Sequence, residues 1–132
     1  MIRESEVKML DQQRAENAWS VVSGVKSSSD EKAQKEFGTQ AKKLPTRIVA
    51  SGLGQALAFL EAKDYAPALR DALTTWMGSR RSTTDNDKRL FVRILKEDAD
   101  FQRYATAECL AYLVWLVRFA EAENLTKDTQ EN

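Results

Sequence analysis

The sequence predicts an all-α protein: a single compact helical bundle of about five to six helices. Three observations predict it. Only five glycines and two prolines occur in 132 residues, so few positions interrupt a helix. Apolar residues recur at spacings of three and four along most of the chain, and no stretch alternates apolar with polar residues as a half-buried strand does. Hydrophobic residues make up 42% and charged residues 30%, an ordinary balance for a chain that buries one core. Residues 1–123 are expected to form that domain and 124–132 a frayed polar tail.

Val7, Leu10, Arg14, Ala18 and Val21 or Val22 keep a helical spacing, with Trp19 alongside. They predict a first helix over residues 5–25, ended by Gly24 and the serines 27–29. Asp30 is placed to cap a second, strongly polar helix anchored by Phe37 and running to Leu44, where Pro45 forces a break or a new start. A third helix then begins at Pro45 and carries Ile48, Val49, Leu53, Ala56, Leu57, Phe59 and Leu60 on a wide apolar face as far as Lys63. Asp64 caps a fourth, from Tyr65 to Met77, with Pro67 in its first turn and Gly78 as its stop.

Residues 79–86 form a polar loop, after which Thr84 or Asp85 caps a fifth helix with Leu90, Phe91, Ile94 and Leu95 facing inward. Asp98 or Asp100 caps the last helix. Tyr104, Ala107, Leu110, Leu113, Val114 and Val117 make one apolar stripe on it and Tyr112, Trp115 and Phe119 another, which predicts a central helix enclosed on nearly all sides.

Several function classes are excluded at once. With no histidine, imidazole dyads and triads, histidine-ligated metal sites and histidine pH switches are ruled out. A lone Cys109 excludes an internal disulfide framework and a cysteine zinc cluster; it reads as a small buried hydrophobe. No run is apolar for the roughly 18 residues a membrane span needs, and the start MIRESEVKML lacks a signal peptide's pattern. The expected location is therefore cytoplasmic, with no membrane partner, and the sequon Asn124-Leu125-Thr126 is accidental.

Gly52-Leu53-Gly54-Gln55 opens a phosphate-binding glycine fingerprint, but Leu57 stands where its third glycine belongs and no strand precedes it. Gly52 and Gly54 are instead read as sites of close approach, either within the bundle or between subunits. Glu97, Asp98 and Asp100 cluster, and capping explains them better than metal or acid-base chemistry. Glu108, inside an apolar helix, requires an Arg or amide partner if buried. Neither catalytic residues, a metal site nor a cofactor is expected.

The formal net charge is +0, which argues against a free-standing nucleic-acid binder. The distribution is uneven: +1 over residues 1–44, 0 over 45–78, +4 over 79–96 and −5 over 97–132. Arg89, Arg93 and Lys96 are spaced to share one face of the fifth helix, with Lys88 beside them. Lys42, Lys43 and Arg47 surround the expected Pro45 break, where a new helix's amino end would add positive dipole. Lys42, Lys43, Arg47, Lys88, Arg89 and Arg93 are the candidate phosphate-contacting residues; for the fifth helix, a solvated basic face or one that meets the acidic end of another copy is an equal reading.

LPTRIVASGLGQALAFLEAK (44–63) and YATAECLAYLVWLVRFAEA (104–122) resemble the small all-helical subunit of the Cmr-type, type III-B, CRISPR RNA-silencing complex. In that family a Pro-started helix carries G-L-x-Q-x-L-A-F-x-x-x-K, matched by Gly52, Leu53, Gln55, Leu57, Ala58, Phe59 and Lys63. The terminal helix carries Y-x-x-x-x-E…W-L-x-R-F-A, close to Tyr104, Glu108 at a spacing one residue tighter, Trp115, Leu116, Arg118, Phe119 and Ala120. The resemblance implies a non-enzymatic building block of an antiviral complex. Several copies would stack head to tail beside the other Cmr subunits and line the channel where target RNA pairs with guide RNA, while cleavage belongs to other subunits.

Two other classes compete. A small helical DNA-binding regulator would place the fifth helix, with Arg89, Arg93 and Lys96, in a major groove. A carboxylate-dependent enzyme would use Glu97, Asp98, Asp100 or Glu108 with a divalent metal.

Overall fold

The computed structural model describes residues 8–126. Six helices and no strand occur among them: α1 (Leu10–Ser28), α2 (Glu31–Ser51), α3 (Leu53–Lys63), α4 (Pro67–Arg80), α5 (Leu90–Lys96) and α6 (Ala99–Ala122). The expected all-α bundle is the fold observed. The expected start of the first helix at residue 5, and Val7 on its stripe, lie outside the described residues, as does the tail beyond Thr126.

The caps that depend on one side chain and its own helix fall where expected. Asp30 accepts a hydrogen bond from the Ala33 amide at 2.8 Å and starts α2, and Asp98 accepts from the Phe101 amide at 2.9 Å and starts α6. Pro67 opens α4, where its fixed φ and missing N–H fit the first turn. Asp64 is not that helix's cap: it closes α3 in the left-handed conformation at φ 53°, which a short polar side chain tolerates.

The largest departure from expectation is at Pro45. α2 runs through it and ends only at Gly52. Phe37, Ala41, Leu44 and Ile48 are all buried, so apolar contacts on both sides of Pro45 hold the helix despite the lost amide hydrogen bond. Gly52 makes the turn instead, at φ 88°, with open space where a Cβ would stand. Its contribution is conformational freedom, not the close approach expected of it. Gly54 does sit close to a neighbour, since a Cβ there would lie 3.2 Å from Cγ2 of Ile94 on α5. Gly24 and Gly78 stop nothing, because α1 continues to Ser28 and α4 to Arg80.

α6 runs in the same direction as α1: Arg14 bonds Glu108, Asn17 bonds Tyr112, and Lys26 donates to the Glu123 carbonyl. The core between α6, α1 and α2 is filled by Ala18, Val22, Phe37, Leu44, Leu113 and Leu116, each at most 1% exposed. Burying a side chain of the size of leucine or phenylalanine contributes about 1.5–3 kcal/mol, so this layer dominates the fold. Trp76 of α4 stacks on Tyr112 of α6 with centroids 5.1 Å apart and planes 7° apart. α6 is nevertheless not enclosed: Ala107 and Val114 face solvent, Val114 at 55% exposure. Trp19 is 45% exposed and packs edge-on against Phe119.

The chain beyond α6 is part of the core as far as it is described. Leu125 is 1% exposed, where a frayed segment was expected from residue 124. Asn124 turns at φ 64°, the Leu125 amide bonds the Ala120 carbonyl at 2.8 Å, and the Leu125 carbonyl lies against Gly38 of α2, where a Cβ would meet it at 2.3 Å. Gly38 is the one glycine whose missing side chain admits another backbone.

Candidate functional site

The two basic clusters read from the sequence meet different fates. Lys42, Lys43 and Arg47 lie on the outer side of α2 and, with Thr46, Ala50 and Ser51, line a shallow groove of about 440 Å³. No Asp or Glu occurs from Phe37 through Leu60, so the groove has three cations and no anion in its wall. Lys42 and Lys43 are exposed. Arg47 is held in place: its guanidinium lies 4.2 Å over the Phe59 ring, and Nη1 donates to Gln40 Oε1 at 2.6 Å. The dipole expected to assist this cluster is displaced, because Pro45 is inside α2 and the nearest helix amino end is that of α3, after Gly52.

The α5 cluster is largely neutralised by its neighbours. Arg93, expected on a solvent face with Arg89 and Lys96, is 3% exposed. It pairs with Glu97, donates from Nη1 to the Arg81 carbonyl at 2.6 Å and lies 4.3 Å over the Phe101 ring. Leu95, expected inward, is 74% exposed. The helix is seven residues long and has turned on its axis relative to expectation, because the Arg93 side chain finds a carboxylate, a carbonyl and an aromatic face together on the inner side.

Arg89 is exposed but bonds Asp87 at 2.7 Å and Glu61 at 3.1 Å. Lys96 bonds Asp85 at 3.1 Å. Lys88 is exposed at the edge of a small pocket that it lines with Thr74, Thr83 and others. The positive segment also abuts the start of the negative one, through Arg93 with Glu97 and Arg81 over Tyr104 at 4.0 Å. A seven-residue helix whose central arginine is buried also makes a poor major-groove reader.

A ladder of side-chain turns fixes the loop before α5. The Asp85 amide donates to Thr83 Oγ1, the Asp87 amide to Asp85 Oδ1 and the Arg89 amide to Asp87 Oδ1, at 3.1, 3.0 and 3.2 Å. The Leu90 amide then donates to Thr74 Oγ1 at 3.0 Å, so α4 caps α5 from the side. The Arg89 side chain and then its amide hold the Asp87 carboxyl down at about 2.

The carboxylates once open to acid-base chemistry have structural partners. Glu108 is 4% exposed and accepts from Arg14 Nε at 2.7 Å, Arg14 Nη2 at 2.9 Å and Trp76 Nε1 at 2.9 Å. Burial pulls its pKa upward, and the Arg14 and Trp76 hydrogen bonds outweigh that and leave it below the usual value. Glu97 pairs with Arg93, Asp98 caps α6 and Asp100 pairs with Arg103. Among the described residues no group of three or more Cys, Asp or Glu side chains is placed to hold a metal ion. Burial, and then the Glu108 charge, push the Cys109 thiol up to about 12, which makes it inert in the folded protein.

The family model for CRISPR-associated protein (Cas_Cmr5) matches residues 10–123. The chain belongs to the Cas_Cmr5 family. The match spans all six helices, and membership makes the chain a small subunit of a Cmr-type CRISPR complex. Both segments that carried the resemblance fall within the matched region, and most of their residues serve the Cas_Cmr5 bundle itself. Gly52 makes the α2–α3 turn, Leu53 and Leu57 are buried under it, Phe59 supports Arg47, and Glu108 is the centre of the α1–α4–α6 network. Three contacts that support the surface were not read from the sequence: Gln40 and Phe59 bracing Arg47, and Thr74 capping α5. The apolar Phe59 at a four-residue step from Gln55 gives no sign of the cation above it. Among the described residues no helix is long and apolar enough to cross a membrane.

Proposed function

We propose that the chain is a non-catalytic structural subunit of a type III-B CRISPR ribonucleoprotein, stacking in several copies and touching the backbone of guide and target RNA during antiviral RNA silencing. The observation that carries the RNA contact is the acid-free groove of α2, with Lys42 and Lys43 exposed and Arg47 braced beside them. Such a surface attracts phosphates without reading bases, which suits a complex whose sequence recognition is guide pairing. Lys88 and Arg89 contribute at the rim of α5; Arg93 is withdrawn from the set because its guanidinium is enclosed. Stacking rests on the family resemblance, and Gly54, with Ile94 against it, has an internal packing role that needs no second subunit.

The test is a complex reconstituted with the Lys42→Glu/Lys43→Glu chain. Target-RNA affinity should fall, and the slope of log affinity against log salt should flatten by about 1–1.5, as two single-strand phosphate contacts are worth roughly 0.7 each. Unchanged affinity and slope in a complex of normal composition would remove α2 from the RNA path.

A further inference from the structure

The open side of α6 has a regularity of its own. Arg103, Ala107, Leu110, Val114, Val117 and Glu121 follow one another at steps of four, three, four, three and four, the spacing of a coiled-coil seam. Arg103, Ala107, Val114 and Glu121 lie away from the side of α6 that packs on the bundle, whose buried residues are Phe101, Ala105, Glu108, Cys109, Tyr112, Leu113, Leu116 and Ala120, while Leu110 and Val117 flank that exposed row and also touch the core. Val114 at the middle is 55% exposed and the Arg103 side chain 73%, with Ala107 and Glu121 exposed and Leu110 and Val117 half-buried. The seam spans about 27 Å of helix. It has four apolar residues in the middle, a cation at its first position and an anion at its last; the cation, Arg103, is exposed and shared with Asp100 of its own helix.

We infer that this face is a contact between two copies of the chain, formed by antiparallel, two-fold pairing of α6 with α6. Antiparallel pairing about residue 112 sets Arg103 against Glu121 of the second copy, Ala107 against Val117 and Leu110 against Val114, and the two-fold axis repeats each layer. Every layer is then matched, apolar on apolar and cation on anion. Parallel pairing would set Arg103 on Arg103 and Glu121 on Glu121, so the end charges select the direction. The contact is self-closing, unlike head-to-tail stacking, and uses no residue of the RNA groove. It stands whether or not that proposed RNA contact does.

Six seam residues a side make a small interface, so the dimer is expected to be weak, with a Kd of about 10–100 µM. Sedimentation equilibrium of the full chain, from about 5 µM to 1 mM, tests it. The native chain should populate a dimer within that range. Val114→Asp should weaken dimerisation at least about tenfold. Arg103→Glu and Glu121→Arg should each weaken it several-fold, and the double variant should recover the native Kd within about twofold, as the swap restores both end pairs. The charge reversals are at exposed positions, so they remain informative if Val114→Asp also lowers stability. A monomer throughout, indifference to Val114→Asp, or single reversals that the double variant does not rescue would each overturn the pairing.

Discussion

Arg14 of α1 holds Glu108 of α6 through two parallel hydrogen bonds of 2.7 and 2.9 Å, and Trp76 of α4 supplies a third donor to the same carboxylate. Three helices that are distant in sequence are joined at one charged point. A glutamate buried in an apolar helix needs donors for its charge, and the fork geometry of arginine satisfies both carboxylate oxygens at once.

Glu108→Ala is expected to lower unfolding stability by about 1–3 kcal/mol, because it strands the Trp76 indole N–H and leaves Arg14 with Asp11 alone. Replacing the pair together, Arg14→Met with Glu108→Leu, should recover part of that, since the share of the penalty that falls on Arg14 is removed. Urea unfolding of the purified chain measures both. A single substitution no worse than the double one would mean that Arg14 and Glu108 act independently.

Arg93→Ala should behave as a stability mutant. It leaves the Arg81 carbonyl without its donor and removes the cation over Phe101, a loss of about 1–3 kcal/mol. A chain that melts normally and yet binds RNA weakly within its complex would show that Arg93 is at the RNA surface after all.

How much was legible in the sequence follows from how local each determinant is. Asp30 and Asp98 cap helices that begin beside them, so their roles are readable from the sequence alone. Glu108 announced a need for a partner, though not which arginine. Pro45 was misread because a local steric rule was outweighed by Leu44 and Ile48 packing on either side of it. The side taken by Arg93 depends on a carbonyl in the preceding loop and an aromatic ring in the following helix, which no wheel drawn on α5 contains. Of the RNA candidates, Lys42 and Lys43 were legible as a surface because nothing acidic lies near them in sequence.

Acid should loosen the loop before α5. Asp87 is held down at about 2 by Arg89, and Asp85 is lowered by the Asp87 amide and Lys96, against an ordinary aspartate value near ~3.9. Since the folded values lie below the unfolded one, the ladder is at full strength above about pH 4 and is lost as the pH falls through about 2. Carboxyl-carbon NMR shifts of Asp85 and Asp87, with exchange of the Leu90 amide, follow the change. Ordinary titration of Asp87 near pH 4 would contradict the arrangement.

Gly38→Ala should displace the turn after α6, because the added methyl would lie 2.3 Å from the Leu125 carbonyl. The expected loss is about 1–3 kcal/mol, with faster proteolysis after Ala122. In a chain ending at Ala122 the same substitution should have little further effect. Equal losses in the full and shortened chains would place the strain elsewhere.

Cys109 is fully buried beside the charged junction of α1, α4 and α6, with its proton held up to about 12. No other thiol exists in the chain. A thiol-specific reagent therefore has a single place to react and reaches it only in molecules whose central helix has come away. The rate of labelling counts such openings directly, so the sequence carries its own clock for how often the bundle breathes, in isolation or inside an assembly.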